Sequence, residues 1–414
     1  MRGARRGTAR RTGRPETARV CVVRQHHVPQ DTRVLREVTA LAEAGHEVDL
    51  LCVRGPGEAA REQLGRIRIR RVAIPAKGSG AARYVLRYLW FFLQAAVLVT
   101  AWHVRRRYRI VQVNSVPDVL VFAAAVPRLT GARVLLDLQE CMPEFFATKF
   151  GTSMSSPAVR LLVRLEQASI RFAHAVVTPT AQLRALFVER GGDPAKIAVV
   201  MDGADEEVFR RHPEARGEPG RFTLISHGTI EERYGLDTAV EAVGRLKAEI
   251  PGLCLRIYGE GSDKPRLVQL AAAHEVADQV WFSEGFVPFP ELVRALSAAD
   301  VGVVAMKRDV FRDVTLPGKL FDFVAMGLPS VVARTRSIEE TFDEDCFEYF
   351  ESGNPDDLAR AVRQLYDDPG RRARLAEHAA RVAEPYRWPR QRTAYLSVID
   401  ALLGVVQVSP APVP

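Results

Sequence analysis

From Arg19 onward the chain alternates short β-branched runs with helical stretches, and it does so twice, around a charged, Gly- and Pro-rich interruption. Such alternation is the pattern of βαβ units built on a parallel sheet, whose strands are covered on both faces and therefore read as apolar runs. The first series predicts strands at 20–23, 48–53, 67–72, 110–113, 134–137, 176–178 and 197–200. The second predicts 222–226, 254–258, 280–282, 301–304 and 330–332, with helices at 236–247, 290–298 and 319–325. Asp31 has the place of an N-cap for a helix carrying Val34, Leu35, Val38, Leu41 and Ala42, and Gly45 that of its stop. Asp118 and Gly131 bracket a second helix in the same way. Residues 201–221 read as a linker, so the expected architecture is α/β: two Rossmann-like domains, 19–200 and 222–384, facing across a cleft. Two doubly wound sheets place a ligand crevice at the carboxyl ends of their strands. The 385–414 end should return to the first domain, because the apolar face of Tyr395, Leu396, Val398, Ile399, Leu402 and Leu403 needs a partner surface.

A chain of 414 residues is too long for one core, and 47% hydrophobic with 26% charged residues is the composition of ordinary globular domains. The net charge of +8 comes mostly from residues 1–19, which hold seven arginines against the single Glu16. Residues 1–18 thus read as a solvated, disordered basic arm. No apolar segment follows the arginines, so they do not form a signal peptide. The five cysteines are scattered and the nine histidines form no metal-binding grid. Both point to a cytoplasmic protein with reduced thiols and no dedicated metal site.

Three stretches could carry chemistry. In 226–236, SHGTIEERYGL, a strand end turns through Gly228 and Thr229 toward a helix, and Arg233 offers a charged fork. That arrangement suits a diphosphate, and equally suits a helix-start loop with a solvated arginine. Gly259 and Gly261 in IYGEGSD permit a close backbone approach, either to a nucleotide or within a tight turn. In 315–332, TLPGKLFDFVAMGLPSVV, a short helix puts Lys319 and Asp322 at i, i+3 and leads into a buried strand. That position at the sheet's edge favours a phosphate for Lys319 and a ribose diol for Asp322 over a surface ion pair.

Together with 31–55, 136–146 and the linker motif VVMDGADEEVF at 199–209, these motifs make the chain from residue 19 to about 400 resemble the family-four nucleotide-sugar glycosyltransferases of GT-B fold. The resemblance implies a donor on the C-terminal domain, an acceptor on the N-terminal domain, and retention of anomeric configuration without a metal or resident cofactor. A nucleoside diphosphate sugar is then the co-substrate. It assigns donor binding to Gly228, Thr229, Arg233, Gly259, Gly261, Lys319 and Asp322, with Arg233 and Lys319 as the catalytic cations. Without a divalent ion, those cations must offset the charge growing on the leaving diphosphate. Four positions depart from the pattern. Asp322 stands where the family often has glutamate. Val314 stands where a partner glutamate is expected, Tyr234 where many members carry lysine, and Gln139 where a histidine is usual.

His26 and His27, after the first strand, and Gln139 and Glu140, after the 134–137 strand, are the expected acceptor wall. Residues 83–107 hold a 13-residue apolar run from 89 to 101, too short to span a bilayer. It fits a buried helix and an interfacial one equally, the latter meeting an anionic membrane through flanking arginines and the basic arm. The expected function is transfer of a sugar to a lipid-linked or other saccharide acceptor of the cell envelope, on the inner face of the membrane. A GT-B nucleotide-sugar epimerase and a non-catalytic nucleotide- or nucleic-acid-binding module are the alternatives. Nucleic acid is not the expected partner, because the charge sits in the arm rather than in a stripe across the domains.

Overall fold

The protein is described from a computed structural model, which covers residues 17–28, 31–74, 81–215 and 217–405. The expected basic arm, except for its last two residues, and the 406–414 end lie outside them. The first sheet contains β1 (Arg19–His27), β2 (Glu47–Val53), β3 (Arg61–Leu64), β4 (Ile67–Val72), β5 (Ile110–Asn114), β6 (Arg133–Asp137), β7 (Ala175–Thr178) and β8 (Ile197–Val199). Their spatial order is β3-β4-β2-β1-β5-β6-β7-β8, parallel except for β3. The second sheet contains β9 (Phe222–His227), β10 (Leu253–Tyr258), β11 (Val280–Phe282), β12 (Val301–Val304), β13 (Ser330–Ala333) and β14 (Glu348–Phe350). Its order is β11-β10-β9-β12-β13-β14, parallel throughout.

Strand order reverses between β1 and β5 in one sheet and between β9 and β12 in the other, so the loops leaving those strands flank the crevices. Period-two alternation fills both faces of the first sheet. Val20, Val22 and Leu50 pack on the Thr32–Glu43 helix and on Tyr395 and Ile399, while Cys21, Val23 and Val113 pack on Phe91, Ala95 and Val99. Asp31 caps the Thr32–Glu43 helix, its carboxylate accepting from Val34 N at 3.2 Å, and Gly45 follows its end with φ 96°. The Trp388–Leu402 helix lies against the first domain: Tyr395 is fully buried and its hydroxyl donates to Gln112 Oε1 at 2.5 Å.

Two strands escape the sequence pattern. All four residues of β3 are exposed, so no apolar run marks it, and β14 has only three residues. The expected 118–131 helix is two pieces, a 3₁₀ segment at Asp118–Ala124 and an α-helical turn at Ala125–Leu129. Pro127 has no N–H to extend the hydrogen-bond ladder back through that junction.

The apolar stretch forms one helix, Ala81–Arg106. Phe91, Ala95 and Val99 are buried, whereas Leu86, Leu89, Trp90, Leu93, Val97 and Val104 are exposed, Trp90 by 49%. The helix is therefore neither wholly core nor wholly surface. Among the described residues no helix is long and apolar enough to cross a membrane. Its two faces predict opposite responses to substitution. Phe91→Ala should cost about 3–5 kcal/mol of unfolding free energy, and Trp90→Ser under about 1 kcal/mol. Urea denaturation of both variants checks this; equal losses would mean that Trp90 is packed in solution.

Candidate functional site

A cavity of about 310 Å³ opens between the two domains. From the first domain it takes Arg33, Gln139, Glu140 and Pro179, with Asp202 from the linker. The second supplies the β9 turn (His227, Gly228, Thr229 and Tyr234), the loop from Phe311 to Pro317, and Gly318 and Lys319 at the start of the Gly318–Ala325 helix. Its volume is at the lower end of small-molecule sites, enough to enclose part of a nucleotide sugar.

Each wall is rigid for a stated reason. Arg33, buried under the first sheet, donates to both carboxylate oxygens of Asp137 at 3.2 and 3.1 Å and to Val200 O at 3.1 Å. Asp137 Oδ2 also accepts from Asn114 at 2.7 Å and from Gln139 Nε2 at 2.9 Å, which holds Gln139 at the cavity wall. On the other wall, Lys319 Nζ lies 4.9 Å from the Tyr234 ring centre, and a β-carbon at Gly228 would stand 3.9 Å from that nitrogen. Burial and the neighbouring Arg312 push Lys319 down to about 8.

The sequence-assigned residues divide. Gln139, Glu140, Gly228, Thr229 and Lys319 line one cavity; Arg233, Gly259, Gly261, Asp322, His26 and His27 do not. Arg233 is paired with Glu231 at 2.6 Å and lies 5.3 Å from the ring of Phe145, on the opposite domain. Gly259 and Gly261 serve the chain itself. Added β-carbons would stand 1.8 Å from Gly228 O and 1.9 Å from Ile230 O, because the β10 loop packs directly on the β9 turn. The same packing engages the turn's amides: Gly228 N donates to Tyr258 O and Ile230 N to Glu260 O. Those two amides are therefore not offered to an anion.

Asp322 sits behind Lys319, its carboxyl 3.5 Å from His227 Nε2. Burial together with Asp202 pushes Asp322 up to about 8, and burial together with Lys319 pushes His227 down to about 3. His26 and His27 end β1 outside the cavity, with His26 Nδ1 3.1 Å from His27 O.

Sequence reasoning missed His227, wedged between Phe209 and Phe323 at the end of β9, and Arg312. His227 stands beside the Gly228 turn and was legible from that adjacency. Arg312 lies in the irregular loop after β12, where no motif marks it.

Among the described residues one cluster, Asp343, Cys346 and His378, has metal-ligand proximity. Its hydrogen bonds are already made internally: His378 Nε2 lies 2.9 Å from both Asp343 oxygens, and Cys346 Sγ donates to Asp343 at 3.3 Å. Burial and Asp343 hold the thiol protonated, at about 12. A second cavity, about 1010 Å³, runs along edge strand β8 beneath the Trp388–Leu402 helix and contains none of the assigned residues.

Residues 30–203 match the family described as glycosyl transferase 4-like domain, and residues 221–368 match glycosyl transferases group 1. Glycogen synthase from Mycobacterium tuberculosis is 29% identical over 256 residues, 59% of this chain and 58% of that protein, so the match spans less than two thirds of the relative. Sucrose-phosphate synthase from Thermosynechococcus elongatus superposes with a TM-score of 0.76 at 17% identity, over 94% of this chain and 100% of the other. Anabaena HepE, in a structure with UDP-glucose, gives 0.69 at 14% identity over 94% and 100%. With both halves matched in order and the two sheets facing across a cleft, the chain belongs to the family-four-like glycosyltransferases of GT-B fold.

Proposed function

We propose that the protein transfers a sugar from a nucleoside diphosphate to a hydroxyl acceptor, with the donor's diphosphate beside Lys319 and the acceptor against Gln139 and Glu140. The observation that carries this reading is the convergence of Lys319, Gly228 and Thr229 with Gln139 and Glu140 on one interdomain cavity. The structural neighbour that holds UDP-glucose supports a nucleotide-sugar donor. As the bond from the anomeric carbon to the diphosphate breaks, its electron pair stays on the phosphate oxygen. A lysine already in place stabilises that charge without reorganisation. Glu140, pushed up by burial, stands on the first domain's wall, where an acceptor hydroxyl would lie. On the family resemblance the product keeps the donor's anomeric configuration, and the reaction needs neither a metal nor a resident cofactor.

The acceptor in this reading is a lipid-linked or other envelope saccharide, reached by peripheral attachment to the inner face of the membrane. Its support is the Ala81–Arg106 helix. Leu86, Leu89, Trp90, Leu93, Val97 and Val104 form an exposed apolar stripe, and Arg87, Arg105 and Arg107 stand beside it. Rings at a headgroup boundary with arginines meeting anionic lipid is the arrangement of an interfacial helix.

Three measurements test these readings. Turnover of UDP-, ADP- and GDP-sugars, followed as nucleoside diphosphate release with and without saccharide acceptors, should fall about 10²-fold or more in Lys319→Gln. Wild-type turnover in that variant would move the site elsewhere, and release independent of every acceptor would favour hydrolysis or epimerisation. Because Lys319 titrates near 8 when the cavity is empty and a diphosphate raises it, affinity should be constant below pH 8 and decline above it. The decline should vanish in Lys319→Gln. For the membrane, sedimentation with anionic vesicles should capture the protein at low salt and release it at high salt. Trp90→Ser with Leu93→Ser should abolish capture; undiminished capture by that variant would reject the helix as the contact.

A further inference from the structure

Arg312 is the most anomalous charge in the cleft. It is 5% exposed, and neither its Nε nor its Nη2 has a hydrogen-bond partner. Among the described residues no carboxylate forms an ion pair with it, although its backbone is firmly held. Its N–H donates to Asp309 Oδ1 at 2.7 Å, and its carbonyl accepts from Ser337 Oγ at 3.1 Å. The guanidinium carbon lies 4.7 Å from the Tyr234 ring centre and 5.0 Å from that of Phe311. Aromatic faces soften the loss of water around a buried cation but do not replace its missing hydrogen bonds. A guanidinium left in this state calls for an anion, and Arg312 lines the cavity that holds Lys319.

Tyr234 sharpens the point. It occupies the position where the family resemblance expects a lysine, and its ring is the common platform for Arg312 and for Lys319 at 4.9 Å. The two cations are near enough for Arg312 to help depress Lys319, while Arg233 is already neutralised by Glu231. Two adjacent cations, neither in an ion pair among the described residues, suit a ligand with at least two negative charges, and the planar fork of an arginine suits a phosphate oxygen pair.

We propose that Arg312 binds the diphosphate of the donor directly, acting with Lys319 as the second cation in place of both Arg233 and the residue at position 234. The assignment rests on reading the cleft as a nucleotide-sugar site. It also makes donor binding depend on domain docking. Phe311 is buried in the first domain's core and meets Phe145 at 5.6 Å, so the loop that aims Arg312 is seated by the opposite domain.

The test measures binding of UDP, ADP and GDP, and of the matching mono- and unphosphorylated nucleosides, to the full chain by calorimetry, with melting temperatures of the free proteins. Arg312→Gln should weaken the best diphosphate by about 10²-fold while leaving the nucleoside within about twofold. The free protein should melt no lower than wild type, since a buried unpaired charge has been removed. Arg312→Lys should recover part of the affinity. Diphosphate binding unchanged in Arg312→Gln but lost in Lys319→Gln would overturn the assignment and leave the cleft reading standing. A lowered melting temperature in both Arg312 variants, with nucleoside and diphosphate weakened alike, would assign Arg312 to structure instead. A wild-type protein that binds none of the three diphosphates would overturn the cleft reading itself.

Discussion

The buried ion pair of Arg33 with Asp137 is the constraint on which the first domain and its face of the cleft depend. Arg33 comes from the first helix, Asp137 from the end of β6, and the third guanidinium bond reaches Val200 O, where the chain leaves for the second domain. Through Asn114 and Glu37 the network continues to Gln112 and then to the Tyr395 hydroxyl on the last helix. One fully buried cation faces two carboxylates there, and burial with the nearby Asp137 pushes Glu37 up to about 8. Losing either partner would strand a buried charge, at a cost of about 3–5 kcal/mol. The same pair orients Gln139, so the first domain's fold and the acceptor wall share a single anchor.

The second wall works by the opposite electrostatic rule. Around Lys319 the structure gives little counter-charge: burial pushes the Asp322 carboxyl up to about 8, and Tyr234 offers only a ring face. A low-dielectric site with unpaired cations binds a diphosphate strongly because no internal ion pair has to be broken first. The first domain therefore contributes a neutralised, rigid scaffold and the second an unsatisfied one.

Much of this was legible in the sequence, and the reasons are specific. Twelve strands announced themselves because a parallel strand covered on both faces must be an apolar run; β3 did not, because it is exposed and pairs antiparallel at the edge. Lys319 was legible because a helix start followed by a buried strand has to sit at the sheet's edge. Gly259 and Gly261 were left open between a nucleotide and a tight turn because a glycine announces a close approach without naming what approaches; in the fold the β9 turn packs on both. The Ala81–Arg106 helix was ambiguous for the same kind of reason. Its apolar residues cover both faces, and only the fold determines that the face of Phe91, Ala95 and Val99 is the buried one.

Val314 shows why a departure from a family pattern has to be judged in three dimensions. The resemblance expects a glutamate there to hold a sugar hydroxyl. In this fold the residue packs beside Phe311 against the first domain's core, and its carbonyl accepts from Thr180 Oγ1 at 3.0 Å across the domain boundary. A carboxylate in that environment would lose its hydration with no cation bonded to it, a cost that an apolar side chain avoids. The 309–315 loop therefore serves docking at Phe311 and Val314, and Arg312 is the one charged side chain it presents to the cavity. With position 314 committed to the interface, the carboxylates that line the cavity are Glu140 and Asp202. Asp202 is held by Arg36 at 2.5 Å, which leaves Glu140, on the first domain's wall, as the acidic group with no ion-pair partner within 4 Å among the described residues. The cavity's unpaired cations thus stand on one domain and its available carboxylate on the other, and any chemistry needing both requires the domains to be docked.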